Sequence, residues 1–138
     1  MRRQAVRGTM IVLMVAIGVA AVPPPAHAVK EFFAEFDAYY VRRNSRKRND
    51  VALAKAVEKA KCTICHPGDD KHKLTAYGAQ IAQIINHFDK ANKKKIHAAF
   101  KEVAEMRSDR HDKKSPTFGV LIKQGKIPQA AWEAEGAK

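Results

Sequence analysis

The chain has two cysteines, Cys62 and Cys65, and His66 directly follows the second one. Two cysteines separated by two residues and followed by histidine form the C-x-x-C-H pattern of covalent haem attachment. In that chemistry both sulfur atoms form thioethers with the porphyrin, and the histidine binds the iron as its proximal ligand. The pattern therefore predicts one haem c, attached at Cys62 and Cys65 and ligated by His66.

Two other chemistries remain open for the same residues. In an exported protein the cysteines could form a disulfide or a redox-active dithiol, but neither explains the adjacent His66. A zinc site would need Cys62, Cys65 and two histidines in a tetrahedral set. The later histidines stand at positions 72, 87, 97 and 111, and no two of them have the usual spacing of a zinc pair. The haem interpretation uses every member of the motif and needs no second pair of ligands.

The motif resembles that of the monohaem c-type cytochromes. The chain is similar to small exported CxxCH proteins of the planctomycete type in Cys62-Thr63-Ile64-Cys65-His66, Tyr77-Gly78 and Phe118-Gly119…Gly125-Lys126-Ile127-Pro128. The resemblance implies a covalent haem and an electron-carrying function. The familiar small soluble cytochromes carry the motif near the start of the mature chain, whereas two predicted helices precede it here.

The sixth iron ligand is open on sequence grounds. Met106 is the only methionine outside the first 28 residues, and Met/His ligation raises the reduction potential and suits electron transfer. Met106 also continues an apolar stripe, where methionine commonly fills a core. His97 and His87 are the next candidates, and a five-coordinate iron is the remaining option. We expect surface positions for His72 and His111.

The first 28 residues have the features of an export signal. Three arginines precede an uncharged apolar run at residues 10–22, and Ala26-His27-Ala28 offers the small residues of a cleavage site. Cleavage would leave a single domain, residues 29–138, in the periplasm or otherwise exported; an uncleaved anchor is the alternative. The run is shorter than the roughly 20 residues that cross a bilayer. We therefore expect no integral membrane span after cleavage.

The spacing of apolar residues after position 28 predicts an all-α fold of about five short helices packed around the covalently attached haem. We expect helices at residues 30–41, from Asn49 or Asp50 into the motif, at 74–88, at 91–107, and from a Ser115 cap to a stop at Gly125. The spacing places Phe88 on the apolar side of the third helix, and the apolar stripe of the fourth consists of Ile96, Phe100, Val103 and Met106. No segment alternates with period two for long enough to predict a strand. Five apolar residues could line the haem or make ordinary contacts between helices: Ile64, Tyr77, Ile81, Phe100 and Val103.

The charge of the chain suggests the class of its partner. Lysine and arginine number 26 against 14 acidic residues, which gives a net charge of +12, and basic clusters lie at residues 42–48, 93–95 and 113–114. Such clusters steer docking onto an acidic redox partner. Nucleic acid is not expected, because aromatic residues are not interleaved with the basic ones. Association with an anionic lipid surface or another polyanion is a further option.

The function that these features favour is extracytoplasmic electron transfer without enzymatic activity. No nucleophile and base, phosphate-binding loop or carboxylate pair has an interpretable spacing. Two alternatives stay open: a haem-based ligand sensor or weak peroxidase with an open distal site, and a basic binding protein without haem.

Overall fold

The computed structural model describes residues 29–68 and 70–128 of the chain. They form five α-helices: α1 Lys30–Tyr40, α2 Arg48–Ala60, α3 Ala76–Ile84, α4 Lys93–Ala104 and α5 Phe118–Lys123. Two 3₁₀ turns lie between them, Lys61–Ile64 and His87–Ala91 (the Phe88 turn). The first of these, together with its C-cap residue Cys65, is called the motif turn. These residues contain no β-strand, only an isolated bridge between Arg107 and Thr117. The prediction of an all-α fold with about five short helices is confirmed.

Two sequence predictions fall outside the described residues. The export signal, residues 1–28, and the last ten residues of the expected domain, 129–138, belong to the part of the chain that is not described. Within the described part, no helix has the length and apolar character needed to span a bilayer.

Four aromatic side chains form the centre of the core. The ring of Phe36 on α1 meets Tyr77 of α3 and Phe100 of α4 edge to face, each with centroids 5.8 Å apart. Tyr77 in turn meets the ring of Phe118 of α5 at 5.3 Å. All four side chains are buried, and edge-to-face pairs of this kind add to the free energy gained from burial alone. The aromatic centre therefore joins α1, α3, α4 and α5.

The motif turn is anchored to this core. Ile64 at the end of the turn and two residues of α2, Leu53 and Val57, belong to the same buried cluster. The five residues expected to line a haem or to join helices are all buried in that cluster. They make contacts between helices in the described structure.

The apolar face predicted for the helix at residues 74–88 is wrong at its C-terminal end. The spacing placed Phe88 on the buried side of a helix over residues 74–88, but α3 ends at Ile84 and Phe88 is 82% exposed. The side chain of Asn86 begins a new turn, because its Oδ1 accepts a hydrogen bond from the Phe88 N–H at 2.9 Å. Local capping thus overrides the helical periodicity at this point.

The predicted helix ends differ from the observed ones by a few residues. α2 begins at Arg48 without a side-chain cap, since the carboxylate of Asp50 accepts a hydrogen bond from Ser45 instead. α5 is capped by Thr117 and not by Ser115, because the Ser115 hydroxyl donates to the carbonyl of Asp109. The stop at Gly125 is confirmed: this glycine has φ of 80° and the Lys126 N–H donates back to Leu121 at 3.0 Å, as in a Schellman motif.

Candidate functional site

The motif turn starts where α2 is interrupted. Lys61 has a positive φ of 48°, which is uncommon for a residue with a side chain and ends the helix. The next residues form a tight turn in which the N–H groups of Cys65 and His66 both donate to the carbonyl of Cys62, at 3.2 and 3.1 Å. We expected the helix itself to run into the motif. The structure corrects this, since the motif lies on a separate turn after the C-terminal end of α2.

The two cysteines lie in different environments. Cys62 is exposed, Cys65 is half-buried, and neither is in a disulfide. Burial raises the pKa of the Cys65 thiol to about 12, so this group is protonated at neutral pH. Redox-active pairs use a thiolate stabilised by a helix N-terminus or a neighbouring cation, whereas this turn follows the carbonyl end of a helix. The surroundings of Cys65 do not activate its sulfur as a thiolate.

His66 is buried, with 7% of its surface exposed, and its ring is oriented by the backbone. Its Nδ1 lies 2.8 Å from the carbonyl oxygen of Lys73. A carbonyl oxygen only accepts, so Nδ1 carries the proton, and in the neutral ring the lone pair is on Nε2. Histidines that bind metals typically donate their other N–H to a backbone carbonyl or carboxylate in this way. The ring is therefore held in the tautomer whose Nε2 can bind a metal.

Thr75 and Gly78 hold α3 against the motif turn. The Thr75 N–H donates to the carbonyl of Cys65 at 2.9 Å, and its hydroxyl donates to the carbonyl of Ile64 at 2.8 Å. The same hydroxyl caps α3 by accepting from the Gly78 N–H at 3.0 Å. A Cβ at Gly78 would lie 2.3 Å from the Cys65 oxygen, so only glycine allows this approach. The motif turn, the loop and the start of α3 form one hydrogen-bonded unit.

The supporting contacts of Thr75, Gly78 and the Lys73 carbonyl were not predicted from the sequence, although Gly78 was noted there as part of the resemblance. Thr75 precedes Ala76-Tyr77-Gly78, and a threonine before an apolar run is a helix N-cap signal. That signal could have placed the start of α3, but it contains nothing about the carbonyls of Ile64 and Cys65. Likewise, no pattern in residues 67–75 points to the Lys73 carbonyl as the partner of His66.

A Thr75→Val variant is expected to lower the free energy of unfolding by about 2 kcal/mol, since it removes a helix cap and leaves a buried carbonyl without its donor. Thr117→Val is the matched control, because Thr117 caps α5 through a single bond of 3.3 Å to the Val120 N–H. We expect the control to lose about 1 kcal/mol or less. Urea unfolding followed by circular dichroism measures both, and equal losses would contradict the structural role given to Thr75.

The candidate distal ligands lie on other elements. Met106 follows the end of α4 and is half-buried against the core cluster that also contacts Cys65. The Nε2 of His97 on α4 is 2.9 Å from the Glu35 carboxylate of α1, which also pairs with Lys93 at 2.7 Å. The hydrogen bond from Lys93 holds the pKa of Glu35 below its ordinary value. His97 is therefore part of a link between α1 and α4.

The other histidines of the described residues are at the surface. His87 is exposed and its ring lies 3.9 Å from that of Phe88. His72 and His111 are also exposed, as expected, and the N–H of each donates to an aspartate two residues earlier. Among the described residues, no three His, Cys, Asp or Glu side chains converge to hold a metal ion.

The chain matches no protein-family model, no curated protein and no solved structure.

Proposed function

We propose that this protein is an extracytoplasmic, monohaem c-type cytochrome that carries single electrons. The observation that supports this most directly is the orientation of His66, whose Nδ1 is bonded to the Lys73 carbonyl at 2.8 Å directly after the turn that carries both cysteines. A redox or disulfide pair has no use for a buried histidine in this tautomer. Iron ligation through Nε2 uses this tautomer.

The residues of the site fit a covalent haem. Cys62 and Cys65 would hold the macrocycle through thioethers, and Nε2 of His66 would bind the iron. The bound iron supplies one-electron chemistry, and its reduction potential depends on the axial ligands and their surroundings. Thr75 and Gly78 keep the motif turn attached to α3, and the Lys73 carbonyl keeps the His66 ring from rotating. The role of these three residues would be to keep the position of the His66 ring unchanged when a bound iron changes its charge.

The decisive experiment is production in a host that matures c-type cytochromes. The reduced protein is expected to show a c-type absorption spectrum, and a pyridine assay is expected to give one thioether-bound haem per chain. A colourless protein from a host that matures a co-expressed control cytochrome would contradict the proposal and favour a basic binding protein. Carbon monoxide binding to the reduced protein without displacement of a ligand would favour the sensor or peroxidase alternative.

The distal ligand is tested at Met106. With its sulfur on the iron, the oxidised protein shows a weak far-red charge-transfer band, and Met106→Leu is expected to remove this band and lower the reduction potential while haem stays attached. Leucine keeps the volume but has no lone pair for the metal. If Met106 only fills the core, Met106→Leu would leave the spectrum unchanged and lower the free energy of unfolding by less than about 1.5 kcal/mol.

The controls for this variant are His97→Ala and His87→Ala. A change from low-spin to high-spin iron in either one, with Met106→Leu silent, would assign the ligand to that histidine. Ligation by Nε2 of His97 would require its bond to Glu35 to break, which is the structural reason for placing Met106 first.

The proposed partner is an acidic redox protein. The cluster at residues 42–48 is mostly exposed, and one of its members, Arg43, pairs with Asp37 at 2.7 Å. Lys113 and Lys114 are exposed as well. Exposed cations increase the rate of encounter with an acidic surface without requiring tight binding. The association rate should therefore fall as ionic strength rises.

A further inference from the structure

The Phe88 turn presents an aromatic side chain to solvent. Phe88 is 82% exposed, whereas the other large exposed hydrophobic residues in the described structure, Val51 and Val120, are each 40% exposed and lie on α2 and α5. Burial of a phenylalanine side chain is strongly favourable. The core gains nothing from Phe88 in this position.

The turn that carries Phe88 is held in place by its capping residue Asn86 and by Lys95 of α4. The Asn86 N–H donates to Asp89 Oδ2 at 3.0 Å, and Asn86 Oδ1 accepts from the Phe88 N–H at 2.9 Å. Lys95 Nζ binds both oxygens of Asp89, at 2.9 and 2.8 Å. The side chain of Asn92 then caps α4 by accepting from the Lys95 N–H at 3.0 Å. Phe88 therefore projects from an ordered turn.

Uncompensated positive charge lies close to Phe88 in the sequence, on the Phe88 turn and at the start of α4. Four lysines occur between positions 90 and 95. Two of them form internal ion pairs, Lys93 with Glu35 and Lys95 with Asp89. The other two, Lys90 and Lys94, are exposed and pair with no acidic group among the described residues. The Phe88 turn and the start of α4 thus combine the protruding ring of Phe88 with two cations available to an external anion.

We propose that the Phe88 turn and the start of α4 dock onto an anionic lipid bilayer, with Phe88 inserted among the acyl chains and Lys90 and Lys94 at the lipid phosphates. A protein interface buries a packed set of apolar contacts at its centre, and this turn offers one large apolar side chain. A fluid bilayer accepts a single inserted ring, and the long stems of the lysines reach the headgroups. The inference does not depend on the proposed haem.

Insertion is tested with a fluorescent residue at the proposed contact. In a Trp132→Phe background, which removes the single native tryptophan, Phe88→Trp is mixed with vesicles of equal parts phosphatidylglycerol and phosphatidylcholine brominated on the acyl chains. Val120→Trp on α5 is the matched control. We expect fluorescence in brominated vesicles to be lower than in unbrominated vesicles of the same composition at position 88 and equal at position 120. Quenching by a bound haem is the same in both kinds of vesicle and cancels in this comparison. Because quenching reports the position of residue 88 itself, binding through another part of the chain does not produce it.

The contribution of charge is tested by sedimentation of the protein with unlabelled vesicles of the same lipids. Lys90→Gln with Lys94→Gln is expected to weaken binding by about fivefold for each lysine, and Phe88→Ser by about tenfold. Lys113→Gln with Lys114→Gln is the control of equal charge and should change binding much less. Pure phosphatidylcholine vesicles should bind weakly in every case.

Three results would overturn the proposal. Absence of quenching at position 88 in anionic vesicles excludes insertion. Equal quenching at positions 88 and 120 indicates non-specific adsorption. Binding to soluble polyglutamate that matches binding to vesicles and is unaffected by Phe88→Ser would assign the surface to an acidic protein. All three are independent of the haem assay, so failure here leaves the proposed electron-transfer function unchanged.

Discussion

The Cys62→Ala/Cys65→Ala double variant is expected to carry no covalently bound haem after production in a host that matures c-type cytochromes. These are the only cysteines of the chain, so no other sulfur can form a thioether. Each single variant should retain some haem, since one thioether remains, but less than the unaltered protein. Haem staining after denaturing electrophoresis measures this, because denaturation releases haem that is not covalently attached.

Thr63→Ala is the matched control for the cysteine variants. Thr63 lies between the two cysteines, and its hydroxyl donates to the Ala60 carbonyl at 2.8 Å. The substitution alters the motif turn but keeps both sulfurs, so staining should stay near that of the unaltered protein. Full staining of the double variant would refute covalent attachment at this motif. If Thr63→Ala also loses its staining, misfolding of the motif turn would explain the loss in the cysteine variants.

Gly78→Ala is expected to lower the free energy of unfolding by about 3 kcal/mol, at the upper end of the cost of inserting a methyl group into a packed region. The added Cβ would lie 2.3 Å from the carbonyl oxygen of Cys65 and 2.9 Å from its Cα. Both are backbone atoms of the motif turn, which cannot move aside as a flexible side chain would. The new methyl group forces α3 away from the turn, and this outweighs the roughly 1 kcal/mol that alanine gains over glycine in a helix.

The companion variant is Gly68→Ala, in which the cause of any loss is different. No atom lies within 4 Å of a Cβ at Gly68, but its φ is 58°, so the cost is backbone strain of about 1 kcal/mol. Chemical unfolding of both variants, with haem retention measured alongside, separates the two effects. A Gly78→Ala protein as stable as the unaltered one would show that α3 and the motif turn do not approach as closely as described.

Short-range patterns predicted the helices well where a single amphipathic face determines the structure. The stripe of Ile96, Phe100 and Val103 is buried on α4, because residues three or four apart share one face of a helix wherever that helix packs. The stop at Gly125 is local in the same sense, since a positive φ favours glycine. Prediction from periodicity was wrong at Phe88, where the capping interactions of Asn86 started a separate turn.

The sequence alone determined the motif of Cys62, Cys65 and His66 through residue type and spacing. The chemistry that we propose follows from that motif. The tertiary structure decided how these residues are held. In the folded chain the Lys73 carbonyl accepts a hydrogen bond from Nδ1 of His66, and Thr75 binds the motif turn. Gly78 lies so close to this turn that a side chain is excluded. These contacts involve backbone atoms brought together by the path of the loop between the motif and α3. Every residue has a backbone carbonyl, so the pattern of side chains does not predict which carbonyl will lie against the histidine.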